Sequence, residues 1–376
     1  MTITTLPAAP SRSDTPANFI SKADAFLAAL ALFVTEVNAA AAAFGVTKWV
    51  SGTTYAAGDL VWSPTDYLTY RRKSAGGGTT DPTSDGTNWA LAHPVVDPMT
   101  CDFRLTLTAG TPVTTADVTG AATIYASPYR GNQIALYDGA RWNLRTSAEF
   151  SLALGTLSSG KPYDVFCYDN NGVPTLEFLA WTNDTTRATA LTKQDGVYVK
   201  TGALTRRYLG TFYTTSTTTT EDSLAKRYLW NYHHRVARLL KVVESTDTWT
   251  YTTAAWRQAN DAAGNQLEMV IGVSEDLVDA QVYTAGANDT AANVDILGGI
   301  GVDSTTVNSA IVHPQQQATV IGRPQHNTAI WSGYPGVGRH YLAWLEYSDA
   351  TGTTTWRGDS GNSSISQCGI IGKVSA

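Results

Sequence analysis

Charge is scarce in this chain. Asp, Glu, Lys and Arg make up 15% of its 376 residues, against about 25% in an ordinary soluble domain. The 26 Lys and Arg form no block, and the formal net charge is −6. A phosphate-tracking groove is therefore not expected, and neither is a nucleic-acid partner. Cysteine is nearly absent. Cys101, Cys167 and Cys368 are too few and too far apart for a disulfide scaffold, and no Cys-x-x-Cys pair offers a zinc site. Free buried thiols in a chain made in a reducing cytosol are expected. Long apolar runs are missing too. The longest, residues 25–34, is bracketed by Asp24, Glu36 and Asn38 and falls short of the ~20 residues of a membrane span. Neither a cleaved signal peptide nor membrane insertion is expected. No glycine-rich phosphate loop exists, because Gly76-Gly77-Gly78 is followed by Thr79 rather than Lys and opens no helix,. No cofactor is expected.

Threonine fills the place of charge, with about 54 residues. Its β-branched side chain favours strands. With 43% hydrophobic residues, 11 Trp and 18 Tyr, the chain has the apolar mass for packed cores. Its length suggests two or three domains. A mainly β protein that works outside a cell is the reading.

One segment departs from this. Thr15 can cap a helix, Pro16 suits its first position and Gly45 its stop. Between them Phe19, Ala23, Phe26, Leu30, Phe33, Val37, Ala40 and Phe44 recur at alternating spacings of four and three. That pattern is an a/d seam over about three and a half heptads. At 1.5 Å per residue, about 30 residues give a rod of roughly 45 Å. Such a stripe must be buried, either by copies of itself or against its own domain or another protein. The first 14 residues carry no core and read as an extended arm.

Residues 46–97 change character again. Trp49, Tyr55, Trp62, Tyr67, Tyr70 and Trp89 crowd about 45 residues, punctuated by glycine. Short strands at 54–55, 59–62 and 67–71 predict a three-stranded antiparallel unit. Trp49, Tyr55-Ala56-Ala57-Gly58-Asp59, Val61, Tyr70, Pro82 and Trp89 resemble the small chitin-binding-type carbohydrate module. The resemblance implies polysaccharide binding by aromatic stacking, with Tyr70 and Trp89 in the core. Members that bind crystalline chitin carry an exposed aromatic before the proline, whereas this chain has Thr80 and Asp81. The candidate sugar contacts are therefore Trp62 and Tyr67, with Trp49. A spacer that reuses the fold is the alternative.

From Pro98 onward the chain reads as strands and turns. Phe103, Leu105 and Leu107 alternate with Arg104, Thr106 and Thr108. Asp138-Gly139 and Asn171-Gly172 predict hairpin turns. Further strands are predicted at 196–200, 207–213, 236–243, 248–253, 266–272, 277–283, 318–322, 340–347 and 370–374. Polar residues 214–220, followed by TEDSLAKRYLWNYHH, suggest a linker or short helix at 214–235. It would separate a first β domain (98–213) from a C-terminal one (236–376). One or two antiparallel, jelly-roll-like β-sandwiches are expected.

The run from Pro10 to Phe19, with Ala23-Asp24-Ala25-Phe26-Leu27, resembles the opening of many bacteriophage tail-fibre and other virion appendage proteins. Tyr163–Phe166, Leu176–Thr182, Arg206–Thr211 and Arg227–Tyr232 resemble phage virion proteins as well. The resemblance implies a homotrimer in a virion, made in the host cytoplasm. Residues 1–45, with Arg12 and Asp14, would dock to other phage tail, neck or baseplate proteins. The helix would be a parallel trimeric coiled coil, and the β-rich body would contact host surface polysaccharide. Two rivals are a structural collar, head-fibre or adaptor component without a receptor, and a secreted glycan-active enzyme with a targeting module.

Other motifs carry little. Gly358-Asp359-Ser360-Gly361 lacks the next glycine and the upstream histidine of a serine-protease site and reads as a turn. Arg357-Gly358-Asp359 is a chance tripeptide. His233, His234, His313, His326 and His340 lack metal-ligand spacing, so no metal is expected. Asp164, Asp169 and Glu177 are the carboxylates a glycosidase would need, but their separation cannot be read from sequence. No β-helix repeat appears, and no catalytic residue is assigned.

Overall fold

The computed structural model describes residues 5–44, 46–92, 96–290, 293–312 and 321–376, and the side chains of all of these but 37–44. The chain is mainly β, with one long N-terminal helix and several antiparallel sheets. It divides into two units, Met1–Val95 and Val96–Ala376.

The helix runs from Pro16 to Phe44. The carbonyl of Thr15 accepts the first helical bond, from Phe19 N at 2.8 Å, so Thr15 is the N-cap and Pro16 the first helical residue. The expected stop, Gly45, and the side chains of Val37, Ala40 and Phe44 lie outside the described residues. Every described helix side chain is exposed or half-exposed. On the seam, Phe19 is exposed and Ala23, Phe26, Leu30 and Phe33 are half-exposed. A second row, Ile20, Leu27 and Val34, is 60%, 64% and 48% exposed. The helix is also more apolar than the run at 25–34 suggests. Pro16–Glu36, 21 residues with mean hydropathy 1.5, is long and apolar enough to cross a membrane. The short-run argument against a span does not hold for the whole helix.

The module has four strands rather than three: Thr47–Lys48, Leu60–Trp62, Thr69–Arg72 and Trp89–Leu91. The first pairs in parallel with the second, and the rest are antiparallel. The strand expected at 54–55 is a single bridge, Tyr55 to Gly76. Trp49, Tyr55, Val61, Tyr70 and Trp89 form the core. Tyr55 meets Trp89 edge-on at 5.2 Å, and Pro82 is buried too. The aromatic pattern residues thus serve as the core.

In the second unit both predicted hairpins form. Asp138-Gly139 joins Gln133–Tyr137 to Trp142–Thr146. Asn171-Gly172 joins Pro162–Asn170 to Val173–Ala180. Asn171 and Gly172 both have positive φ, 52° and 92°, as a type I′ turn requires. Of the strand expected at 318–322, residues 318–320 lie outside the described residues, and Ile321-Gly322 is a turn.

The expected boundary at 214–235 is overturned. These residues form no helix and no free linker. They contain strands Thr220–Asp222, Lys226–Arg227 and Leu229–Asn231. The threonine run closes a tight hairpin on its own hydroxyls. Thr215 Oγ1 meets Thr219 Oγ1 at 3.0 Å, and Thr220 Oγ1 donates to the Tyr213 carbonyl at 2.7 Å. Polar composition marked this run as a loop, but its hydroxyls bond one another and the backbone.

Strand Leu229–Asn231 explains why residues 96–376 are one unit. Leu229 belongs to one core, with Phe103, Leu105, Ile124, Val165 and Phe212. Trp230 belongs to the other, with Leu267, Met269, Val282, Leu342 and Trp344. Successive side chains point to opposite faces of a strand, so this strand is a wall shared by both cores. Its partner Ala203–Tyr213 does the same, sending Tyr208 to one core and Leu209 to the other. A two-domain chain would have solvent on one of those faces.

Double burial also corrects the alternation read at 103–108. Phe103–Thr106 is buried on both faces, so Arg104 does not point to water. It donates to the carbonyls of Pro112, His234 and Ala376 at 3.0, 2.5 and 2.5 Å. Burial, with Arg238 nearby, pulls its pKa down to about 10. Asp222, inside the supposed linker, binds Arg227 at 2.9 Å and Arg238 at 2.8 Å. Buried cations of this kind persist because carbonyls and carboxylates meet their donors.

Candidate functional site

The sequence placed sugar contacts at Trp62, Tyr67 and Trp49, and the structure separates them. Trp49 is 9% exposed and belongs to the module core. It offers no ring face to a ligand, which removes it from the candidate surface. Its character as a large aromatic near a turn did not distinguish core from platform.

Trp62 and Tyr67 do come together, at 6.0 Å between centroids and 18° between planes. Trp62 ends the strand Leu60–Trp62, and Tyr67 lies on the turn that follows. That turn is tightly specified. Ser63 is fully buried and donates from Oγ to Asp81 at 2.6 Å. Asp66 accepts from Leu68 N at 3.0 Å and from Tyr70 Oη at 2.7 Å. Burial raises the Asp81 pKa, but hydrogen bonds from Ser63 and Thr83 outweigh it and hold the carboxyl below its usual range. Asp81, next to the buried Pro82, thus fastens the turn.

Tyr67 itself is strained. Its φ is +59°, in the left-handed region that costs an L-residue roughly 1–2 kcal/mol. Its ring is 77% exposed. An exposed tyrosine in a costly backbone conformation, backed by a parallel tryptophan, is a candidate contact surface. Lys48 Nζ lies 5.9 Å from the Trp62 centroid and adds a cation beside the pair.

The chain matches no protein-family model and none of the curated proteins. The candidate sites therefore rest on their own geometry.

The three carboxylates considered for glycan cleavage are each held by their own cations. Asp164 binds Arg187 at 2.8 Å, and Asp169 binds Arg145 at 2.6 Å. Glu177 binds Lys200 at 3.2 Å and Arg206 at 3.0 Å. Among the described residues no group of three or more His, Cys, Asp or Glu is placed to hold a metal. His340 donates from Nδ1 to Asp303 at 2.8 Å, and His234 Nε2 lies 2.5 Å from the Cys101 carbonyl. His313 lies outside the described residues. Gly358–Gly361 forms a turn, with Ser360 at φ +53°. At the N-terminus Asp14 binds Lys22 at 2.8 Å and caps Ser11 N at 2.8 Å, folding the end of the arm back onto the helix. Arg12 is exposed beside it.

Sequence reasoning missed a second surface. Its elements are the loop 182–190, the strand Val197–Lys200 and the turn at Gly272, with Tyr198 and Arg187 among its lining residues. Asp195-Gly196, the hairpin turn that positions Tyr198, has φ values of 50° and 88°. That Asp-Gly pair was a usable signal for the hairpin. Nothing local connects it to Gly272, which is some 75 residues away in the chain.

Proposed function

We propose that this chain is a homotrimeric appendage of a bacteriophage particle, most simply a tail fibre. Residues 1–45 dock it to the particle and trimerise it as a parallel coiled coil. The module is a knob or spacer, and the β-rich body, a jelly-roll-like pair of packed sandwiches, meets the host surface. The observation that carries this reading is the helix. No described side chain on it is buried, and its apolar residues occupy more than an a/d seam. Ile20, Leu27 and Val34 follow Phe19, Phe26 and Phe33 by one position each. They widen the stripe beyond what one partner helix covers, which favours three strands over two. Trimeric display would strengthen weak surface contacts through effective concentration. No chemical step is required of the protein.

Light scattering on the full chain tests it. A trimer that becomes monomeric in the double variant Phe26→Asp, Leu30→Asp supports the reading. A monomer at every concentration overturns it. The hydropathy of Pro16–Glu36 favours one second reading, an anchor inserted in a membrane. Wild-type chain that co-sediments with phosphatidylcholine vesicles and does not trimerise in their absence would select that reading.

A further inference from the structure

The body contains a cleft of about 400 Å³, within the range of sites for small organic ligands. Its lining includes the apolar side chains of Leu191 and Val273 and the hydroxyl of Thr186. The ring of Tyr198 stands in the cleft, held edge-on against Tyr232 at 5.2 Å and 80°.

Arg187 also lines the cleft. Its Nε donates to Asp164 at 2.8 Å, and its Nη2 donates to the Gly272 carbonyl at 2.7 Å. The guanidinium lies 4.3 Å from the Trp181 ring centroid. Among the described residues Nη1 makes no hydrogen bond, and Arg187 is one of the residues that line the cleft. Gly272 makes this possible. A Cβ there would lie 2.0 Å from Tyr208 Oη and 2.5 Å from the Trp230 ring, so only a bare backbone lets its carbonyl reach Arg187.

The chemistry of the walls points to one class of ligand. Asp164 neutralises Arg187, and Lys193, whose Nζ lies 4.8 Å from the Tyr198 ring centroid, is not one of the residues that line the cleft, so the lining itself presents a donor without net charge. The apolar side chains and the tyrosine ring suit a molecule with a hydrocarbon face. The threonine hydroxyl and Nη1 suit hydroxyls around its rim. We infer that this cleft binds a neutral saccharide ring, stacked on Tyr198 and hydrogen-bonded to Arg187 and Thr186. This deepens the host-contact part of the proposal above, but its test does not depend on the oligomeric state.

Saturation-transfer NMR on the full chain provides that test, with millimolar methyl glycosides of glucose, galactose, mannose and N-acetylglucosamine, and sodium glucuronate as the charged probe. Transfer to at least one neutral glycoside is expected. It should be lost in Ala190→Trp, which fills the cleft from an exposed position without touching the core. It should be retained in Tyr198→Phe and weakened at least tenfold in Tyr198→Ala. Unchanged thermal melting of Ala190→Trp confirms that loss is local. Transfer to no neutral glycoside, full transfer in Ala190→Trp, or binding of glucuronate alone overturns the inference. Loss in Trp62→Ala with retention in Ala190→Trp also overturns it, because the module would then be the site. Light scattering reports separately on the trimer, so the two proposals fail independently.

Discussion

The helix and the β body bury apolar surface in opposite ways. In Pro16–Glu36 no described residue is buried, although the segment is long and apolar enough to cross a membrane. In the body, strands such as Pro162–Asn170 are buried on both faces for six residues in succession, and even arginines are enclosed. The body thus encloses packed cores, although side chains such as Leu239, Ile311 and Ile330 stay exposed, whereas the described helix encloses none. Under the proposed trimer, such a chain would separate stability from assembly. Mutations in the body should change folding, and mutations in the helix should change association.

The largest effect expected from breaking that separation is at Gly272. Gly272→Ala drives a methyl into Tyr208 and Trp230 and should destabilise the body by about 3–5 kcal/mol. Trimerisation through the helix should survive, read by light scattering alongside thermal melting. If the trimer is lost as well, the two regions are not independent.

Trp89→Ala should act next, at about 3–5 kcal/mol on the module alone, because Trp89 is 2% exposed and packs on Tyr55 and Arg72. Calorimetry should show the module transition lost and the body transition unmoved.

Glu346 sharpens the comparison through pH. Burial pushes its pKa up to about 7, against the opposing pull of Trp249 and Arg257. Between its ordinary value of 4.5 and about 7 the folded chain holds a proton the unfolded chain has released. Its contribution is therefore full below pH 4.5 and is lost as pH rises through 7, up to about 3 kcal/mol at 1.36 kcal/mol per pH unit. His233 works in the opposite sense. Burial and Arg207 hold its pKa well below 6.5, so that part of the stability falls as pH drops below 6.5. Comparing wild type with Glu346→Gln removes the histidine term. The variant should lose less melting temperature than wild type between pH 4.5 and 7. Equal slopes would show that Glu346 is ionised throughout.

The double variant Phe26→Asp, Leu30→Asp should leave the body's melting within about 0.5 kcal/mol of wild type while abolishing association. The smallest effect is at Tyr67. Tyr67→Gly relieves the left-handed backbone but loses the contact with Trp62, so stability should stay within about 1 kcal/mol of wild type. A loss of several kcal/mol would make Tyr67 structural and remove it from the candidate surface.

Local signals in the sequence were sufficient for several elements. Thr15-Pro16 marked the start of the helix, and Asp138-Gly139 and Asn171-Gly172 marked hairpins, because caps and type I′ turns depend on the residues within them. Tyr70 and Trp89 were expected in the module core and lie there, but Trp49, expected as a surface ring, joins them with Tyr55 and Val61. The region 214–235 was misread because a polar run followed by a mixed one resembles a linker. Nothing in it announces that Leu229 and Trp230 face two different cores.

By itself, then, the sequence determined the β class, the helix with its apolar stripe, the tight turns and the aromatic set of the module. These depend on periodicity and on backbone preferences expressed over a few residues. Only the tertiary structure decided that residues 96–376 are one unit, that Arg104 and Arg207 are buried, and that Arg187, Tyr198 and Gly272 share one cleft. Those outcomes depend on which distant carbonyls, carboxylates and rings arrive beside a residue once the sheets pack, and chain order does not encode that locally.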